Sequence, residues 1–331
     1  MTNLDTNPEL AVLEPGQPCT AVELLEPRLV PLGGLRAMTV HRTLPQRGRS
    51  LVGSWCFLDH YGPDDVGETG GMRVARHPHT GLATVSWLFT GAIDHVDSGG
   101  HAAQVLPGEL NLTIAGTGIT HQEISTSDTR TLHGVQLWYA MPSSTRFTAN
   151  DFIHYAPEPV QLPGGVLRVF IGELAGSVSP VDTRTPEMLG AELIIEAGAT
   201  LHLIVRPDFE HAVLAENADI AVNSTTVAHR NLGYVPLGSD TIILTAGATT
   251  TRVILLGGIP FGEQIVMWWN FIGRSHDEIA EYRRRYQAEV GFEAPDPRDA
   301  DKPALFGPYP EGQPDPIPAP PLPISRLLPR D

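Results

Sequence analysis

Short segments rich in β-branched and aromatic residues recur roughly every ten residues along this chain, and glycine or proline closes nearly every one. That spacing leaves room for strands and turns but for few helices. It predicts an all-β protein built as a sandwich or barrel. Val52–His60 stops at Gly62-Pro63, and Leu82–Phe89 stops at Thr90-Gly91. Leu110, Leu112 and Ile114 alternate with Asn111 and Thr113, the period of a strand with one apolar face. Val135–Ala140 ends at Pro142.

A second series begins near Val166 and includes Leu167–Ile171, Ala191–Ile195, Leu201–Val205, Thr241–Leu244 and Thr251–Leu256. The chain therefore divides into a polar arm (1–27), a β domain (28–150), a connection with three prolines (151–165) and a second β domain of similar size (166–291). The similar sizes point to duplication. One helix is expected over 276–290, opened by the capping box Ser275-x-x-Glu278 and stopped by Gly291. Ile279, Tyr282, Tyr286 and Val290 share its apolar face. Residues 292–331 hold 12 of the 30 prolines, so this tail is extended and either wraps the surface or stays disordered.

The formal charge of −16 disfavours contact with a phosphate backbone, and no direct nucleic-acid partner is expected. Residues 1–50 balance five acids against five arginines, and 292–331 carry seven acids against four bases, so −13 lies on the two β domains. The two cysteines, Cys19 and Cys56, do not make a disulfide scaffold. Cys56, within an apolar strand, is expected to be a buried, inert thiol. With no signal-peptide pattern and no long apolar run, the expected setting is cytoplasmic, without a membrane anchor.

The chemistry concentrates in two pairs. In His77-Pro78-His79, residues two apart on a strand share a face, so both imidazoles can converge. In His121-Gln122-Glu123 the same spacing follows the turn Ala115-Gly116-Thr117-Gly118. Three imidazoles and one carboxylate suit iron, manganese, nickel, copper or zinc, with positions left for water, substrate or oxygen. Iron(II) is the first choice.

The blocks HPHTGLATVSWLFTG, PGELNLTIAGTGITHQE and LHGVQLWYAMP resemble the pirin family of the cupin superfamily. VGSWCFLDHYGP and PFGEQIVMWWNFIGRSHDEI extend the resemblance, in order, over roughly residues 28–292. It implies two cupin barrels (double-stranded β-helices, or jelly rolls) in tandem. It also implies one metal, usually iron, held in the first barrel by His77, His79, His121 and Glu123. Implied activities are quercetin 2,3-dioxygenase chemistry, with a flavonol and O2 as substrates and Glu123 as catalytic base, or metal-dependent regulation of a transcription factor or metabolic enzyme. Ala83 stands where the general cupin motif carries a glutamate, and a different surround or substrate preference is the expected consequence. Two barrels in one chain cover faces that single cupins bury by dimerising, so a monomer is expected.

No metal is expected in the second barrel: His202, His211 and His229 form no spaced pair with a carboxylate, and the positions following Gly198 at the metal-site offsets are Ile204 and Arg206. His95 and His101 flank Asp97-Ser98-Gly99-Gly100 and are expected as exposed turn residues near the pocket mouth. His133 is expected to be hydrogen-bonded and structural. Trp268-Trp269-Asn270 is expected to pack between domains. Whether Gln136 and Trp138 face into the barrel is left open by the pattern.

Overall fold

The computed structural model describes residues 11–13, 21–32, 38–323 and 325. Cys19 lies outside them. Two barrels follow each other, each a seven-stranded antiparallel sheet facing a four-stranded one. In the first, the large sheet runs Asp151–Tyr155, Leu110–Ile114, Leu82–Thr90, Thr131–Ala140, Trp55–Asp65, Met38–Leu44, Arg28–Leu32. The small sheet runs Arg73–His79, Ile119–Ser125, Ile93–Asp97, Ala102–Val105. In the second barrel the small sheet runs Thr200–Ile204, Thr241–Ala246, Ile220–Val222, Thr225–Val227. The shared pattern is that of a duplicated cupin unit.

The large sheets pack back to back. Val85, Trp87, Val135 and Leu137 from the first and Phe170, Leu214, Ile254 and Leu256 from the second form one buried core between the barrels. Trp87 and Phe170 meet across it with ring centroids 4.7 Å apart. Ala83 belongs to this core, so the position of the cupin glutamate faces the other barrel rather than the histidines. An altered surround for the histidines therefore does not follow from Ala83.

Two segments differ from the sequence-based division. Residues 151–165, expected as a connection, supply edge strands: Asp151–Tyr155 pairs with Leu110–Ile114, and Val160–Leu162 with Gly165–Ile171. The three prolines, Pro157, Pro159 and Pro163, fall between and after these strands rather than within them, so they bound the strands without interrupting a ladder. Within the arm, Glu23–Leu25 adds an edge strand to the second barrel by pairing with Leu232–Val235.

The helix spans His276–Glu289, and Ser275 caps it by accepting from the Glu278 backbone N–H at 3.2 Å. Glu278 turns instead to Arg146 and to the Arg274 N–H. The apolar side of the helix packs on Trp268, Trp269, Phe271 and Phe306. The proline-rich tail wraps the small sheet of the first barrel. Arg76 and Thr120 both donate to the Phe306 carbonyl, Ile317 N–H to the Arg76 carbonyl and Tyr309 to the Val96 carbonyl.

Candidate functional site

The two barrels are filled differently. On the first pair of small-sheet strands in the second barrel, Leu201 pairs with Leu244 and Leu203 with Ile242, all buried aliphatics. On the corresponding pair in the first barrel, His121 lies opposite His77 and Ile119 opposite His79. His77, His79, His121 and Glu123 are all at most 1% exposed. A barrel interior that closes on aliphatic side chains in one copy closes on imidazoles in the other.

The three imidazoles meet. One ring nitrogen from each of His77, His79 and His121 lies within 4.8 Å of the other two. His79 Nε2 and His121 Nε2 are 3.0 Å apart. Two nitrogens about 2.1 Å from a common ion at right angles would be about 3.0 Å apart, so the spacing suits shared coordination. The tautomers are set from outside. His77 Nδ1 faces the Ala75 carbonyl at 2.9 Å and His79 Nδ1 the Asn270 carbonyl at 3.2 Å. A carbonyl can only accept, so each Nδ1 carries the proton and each Nε2 keeps a lone pair. His77 Nε2 has no hydrogen-bond partner among the described residues. Burial pushes the His77 imidazole down to about 3, and it holds His79 and His121 well below the ordinary range. Neutral, inward-facing nitrogens are what a metal ion requires. The donor set fits a divalent transition metal.

Glu123 follows His121 on the same strand and face, opposite His95. It lies outside the three-imidazole group but borders the same interior, accepting from Ser86 Oγ at 2.8 Å. Ser86 Oγ is also 2.9 Å from the Gln136 side chain. The atom facing Ser86 is Gln136 Oε1, and one hydroxyl proton serves one acceptor; turning the Gln136 amide end for end lets its NH2 donate to Ser86 while Ser86 donates to Glu123. Gln136 and Trp138 thus face inward. The Trp138 ring stands edge-on to His79 at 5.1 Å and stacks on Phe57 at 4.0 Å.

His95 is not an exposed turn residue. It is buried on Ile93–Asp97, 5.2 Å from the His121 ring, and its Nε2 lies 3.2 Å from Asp97 Oδ2. Phe152 stacks on it and on the partly exposed His101, forming an aromatic path from the surface. Trp268 and Trp269 pack against helix and tail, while the backbone of Asn270 holds His79. Nothing in the sequence marks that carbonyl. Ser86 carried a signal, since the alternation of Leu82–Thr90 places Thr84, Ser86 and Leu88 on one face. His133 is hydrogen-bonded in a buried cluster away from these residues. In the second barrel His202 is exposed, whereas His211 is buried with neither ring nitrogen bonded among the described residues. Cys56 is buried, and burial pushes its thiol well up, which makes it unreactive. No described helix is long and apolar enough to cross a membrane.

The profile described as Pirin matches residues 37–139, and that described as the Pirin C-terminal cupin domain matches residues 190–292. The chain is 39% identical to a Pseudomonas aeruginosa protein named "Putative quercetin 2,3-dioxygenase", with 89% of each chain covered. It is 32% identical to a "Pirin-like protein" of Caulobacter vibrioides, covering 75% of this chain and 88% of the other. A crystal structure titled as a quercetin 2,3-dioxygenase from Acinetobacter baumannii superimposes with a TM-score of 0.84 at 30% identity, covering 94% of this chain and 98% of that one.

Proposed function

The chain belongs to the pirin family of tandem cupins, and from that membership we propose that it is a metal-dependent dioxygenase opening flavonols of the quercetin type with O2. The products would be a depside and carbon monoxide. One divalent ion, iron(II) first, would be held by His77, His79, His121 and Glu123. The observation that carries the reading is the convergence of three buried imidazoles, two of them tied through Nδ1 to backbone carbonyls. A metal bound there would act as a Lewis acid toward the flavonol 3-hydroxyl and 4-carbonyl and would supply the redox chemistry for O2.

The remaining work falls to the chain's own side chains. Glu123 takes the proton of the 3-hydroxyl, and the Ser86 hydrogen bond holds its carboxylate in place for that step. Gln136 anchors Ser86. Trp138 fixes the His79 ring and gives the interior an apolar aromatic wall. The test is metal analysis paired with O2 uptake on quercetin. His77→Ala and His121→Ala should each lose the ion of this site and the O2 uptake together. Full metal retention in both would refute the site, and metal without O2 uptake across a flavonoid panel would refute the reaction.

A second reading, a metal-dependent regulator docking on a basic protein surface, draws support from the −13 carried by the two barrels. The same panel separates the two, because a regulator would hold metal and leave flavonols intact. The mutual covering of the two large sheets favours a monomer in either reading.

A further inference from the structure

The strands Trp55–Asp65 and Thr131–Ala140 present Tyr61 and Gln136 to the interior of the first barrel. Their opposite faces turn toward the second barrel and carry His60 and His133. These two imidazoles are buried with Nε2 atoms 3.2 Å apart. From the second barrel, Glu216 brings its carboxylate to them, at the end of Glu210–Ala215. Glu216 Oε1 lies 2.6 Å from His133 Nε2 and 3.5 Å from His60 Nε2, without hydrogen-bond angles to either. One ligand atom from each of the three residues thus lies within 4.8 Å of the others. His60 Nδ1 also has no partner among the described residues.

We propose that His60, His133 and Glu216 form a second metal site, which takes zinc and ties the two barrels together. Ligands about 2.0–2.1 Å from zinc at tetrahedral angles lie about 3.3–3.4 Å apart, close to two of the three separations here. The third, 2.6 Å, opens by some tenths of an ångström when the ion enters. Two imidazoles and one carboxylate are a zinc donor set that leaves a position for water. The His133 side chain, 11% exposed, gives the ion a way in. Phe89 walls the cluster, its ring centroid 5.0 Å from that of His133. Arg252 sits 3.4 Å from Glu216 Oε2, leaving Oε1 to the metal. Arg252 is itself shared with Glu192, while Arg230 is engaged with His41 and the Gly62 carbonyl. These guanidiniums, with His41 and His229 beside them, lower the affinity below that of a site ringed by acids. Zinc, which bonds imidazole strongly, is favoured over magnesium or calcium for that reason.

The site does not depend on the dioxygenase reading, and either can fail alone. The test is equilibrium dialysis of chelator-stripped, full-length protein against Zn2+, read by metal analysis and by thermal unfolding. Wild type should take up two equivalents. Glu216→Gln, which keeps the shape of the side chain, should take up one. His77→Ala/His121→Ala should also take up one and still show a Zn2+-induced rise in unfolding temperature, which adding Glu216→Gln abolishes. His133→Gln carries the same test should Glu216→Gln fail to fold. Two equivalents retained in Glu216→Gln, or none bound by His77→Ala/His121→Ala, overturns the proposal.

Discussion

Gly190 and Phe170 are coupled tightly enough to test how the barrels are joined. A Cβ on Gly190 would lie 2.2 Å from Phe170 Cε2, where ordinary contact begins near 3.4 Å. The ring cannot simply step aside, because it is fully buried and meets Trp87 at 4.7 Å. A register shift between Val169 and Ile171 sets Phe170 and Ile171 both toward the interface. Gly190→Ala introduces no strained dihedral in its strand, so its effect is overpacking, about 2–3 kcal/mol of destabilisation. Phe170→Ala removes a buried ring and should cost about 3–5 kcal/mol. In the double variant the new methyl enters the space the ring vacated. Its cost should match that of Phe170→Ala or fall slightly below it, giving a coupling of about 2–3 kcal/mol. Urea denaturation of the four proteins measures this, with metal content checked to show that the first barrel is intact. Additive costs, or a Gly190→Ala variant as stable as wild type, would refute the packing argument.

Other outcomes follow from single side chains. Burial, with no hydrogen-bond partner among the described residues, lowers the His211 imidazole to about 4. The unfolded chain therefore takes up this proton first, and the stability it contributes above its ordinary range is lost as pH falls from about 6.5 to about 4. The full difference is about 3 kcal/mol. His211→Leu should flatten that part of the stability profile; an unchanged acid slope by denaturant titration would contradict it. Ser275→Ala removes the helix cap and should cost about 1 kcal/mol in thermal unfolding, whereas no loss would show that Glu278 and its arginines hold the helix start unaided. Glu123→Gln should cut quercetin turnover far more than quercetin binding, as kcat against Kd, and equal turnover would remove Glu123 as the base.

The residue order alone determined a good deal. Gly- and Pro-punctuated strands marked two β domains, and period two placed His77 with His79 and His121 with Glu123. The Ser275 cap located the helix within a residue of its observed end. Those features depend on neighbours a few positions away, where backbone geometry is regular. Period two tells which side chains share a face, but not which face turns inward. Ser86, Gln136 and Trp138 could therefore not be assigned to the interior, nor Ala83 to the interface. Only the tertiary structure decided what distant segments bring together. The Asn270 carbonyl reaches His79 across 191 positions. Glu216 joins His60 and His133 from the other barrel, and the tail closes over the small sheet through the Phe306 carbonyl. Such contacts rest on strand register and sheet packing, which are set by the burial of whole faces and leave no local pattern in the residues they join.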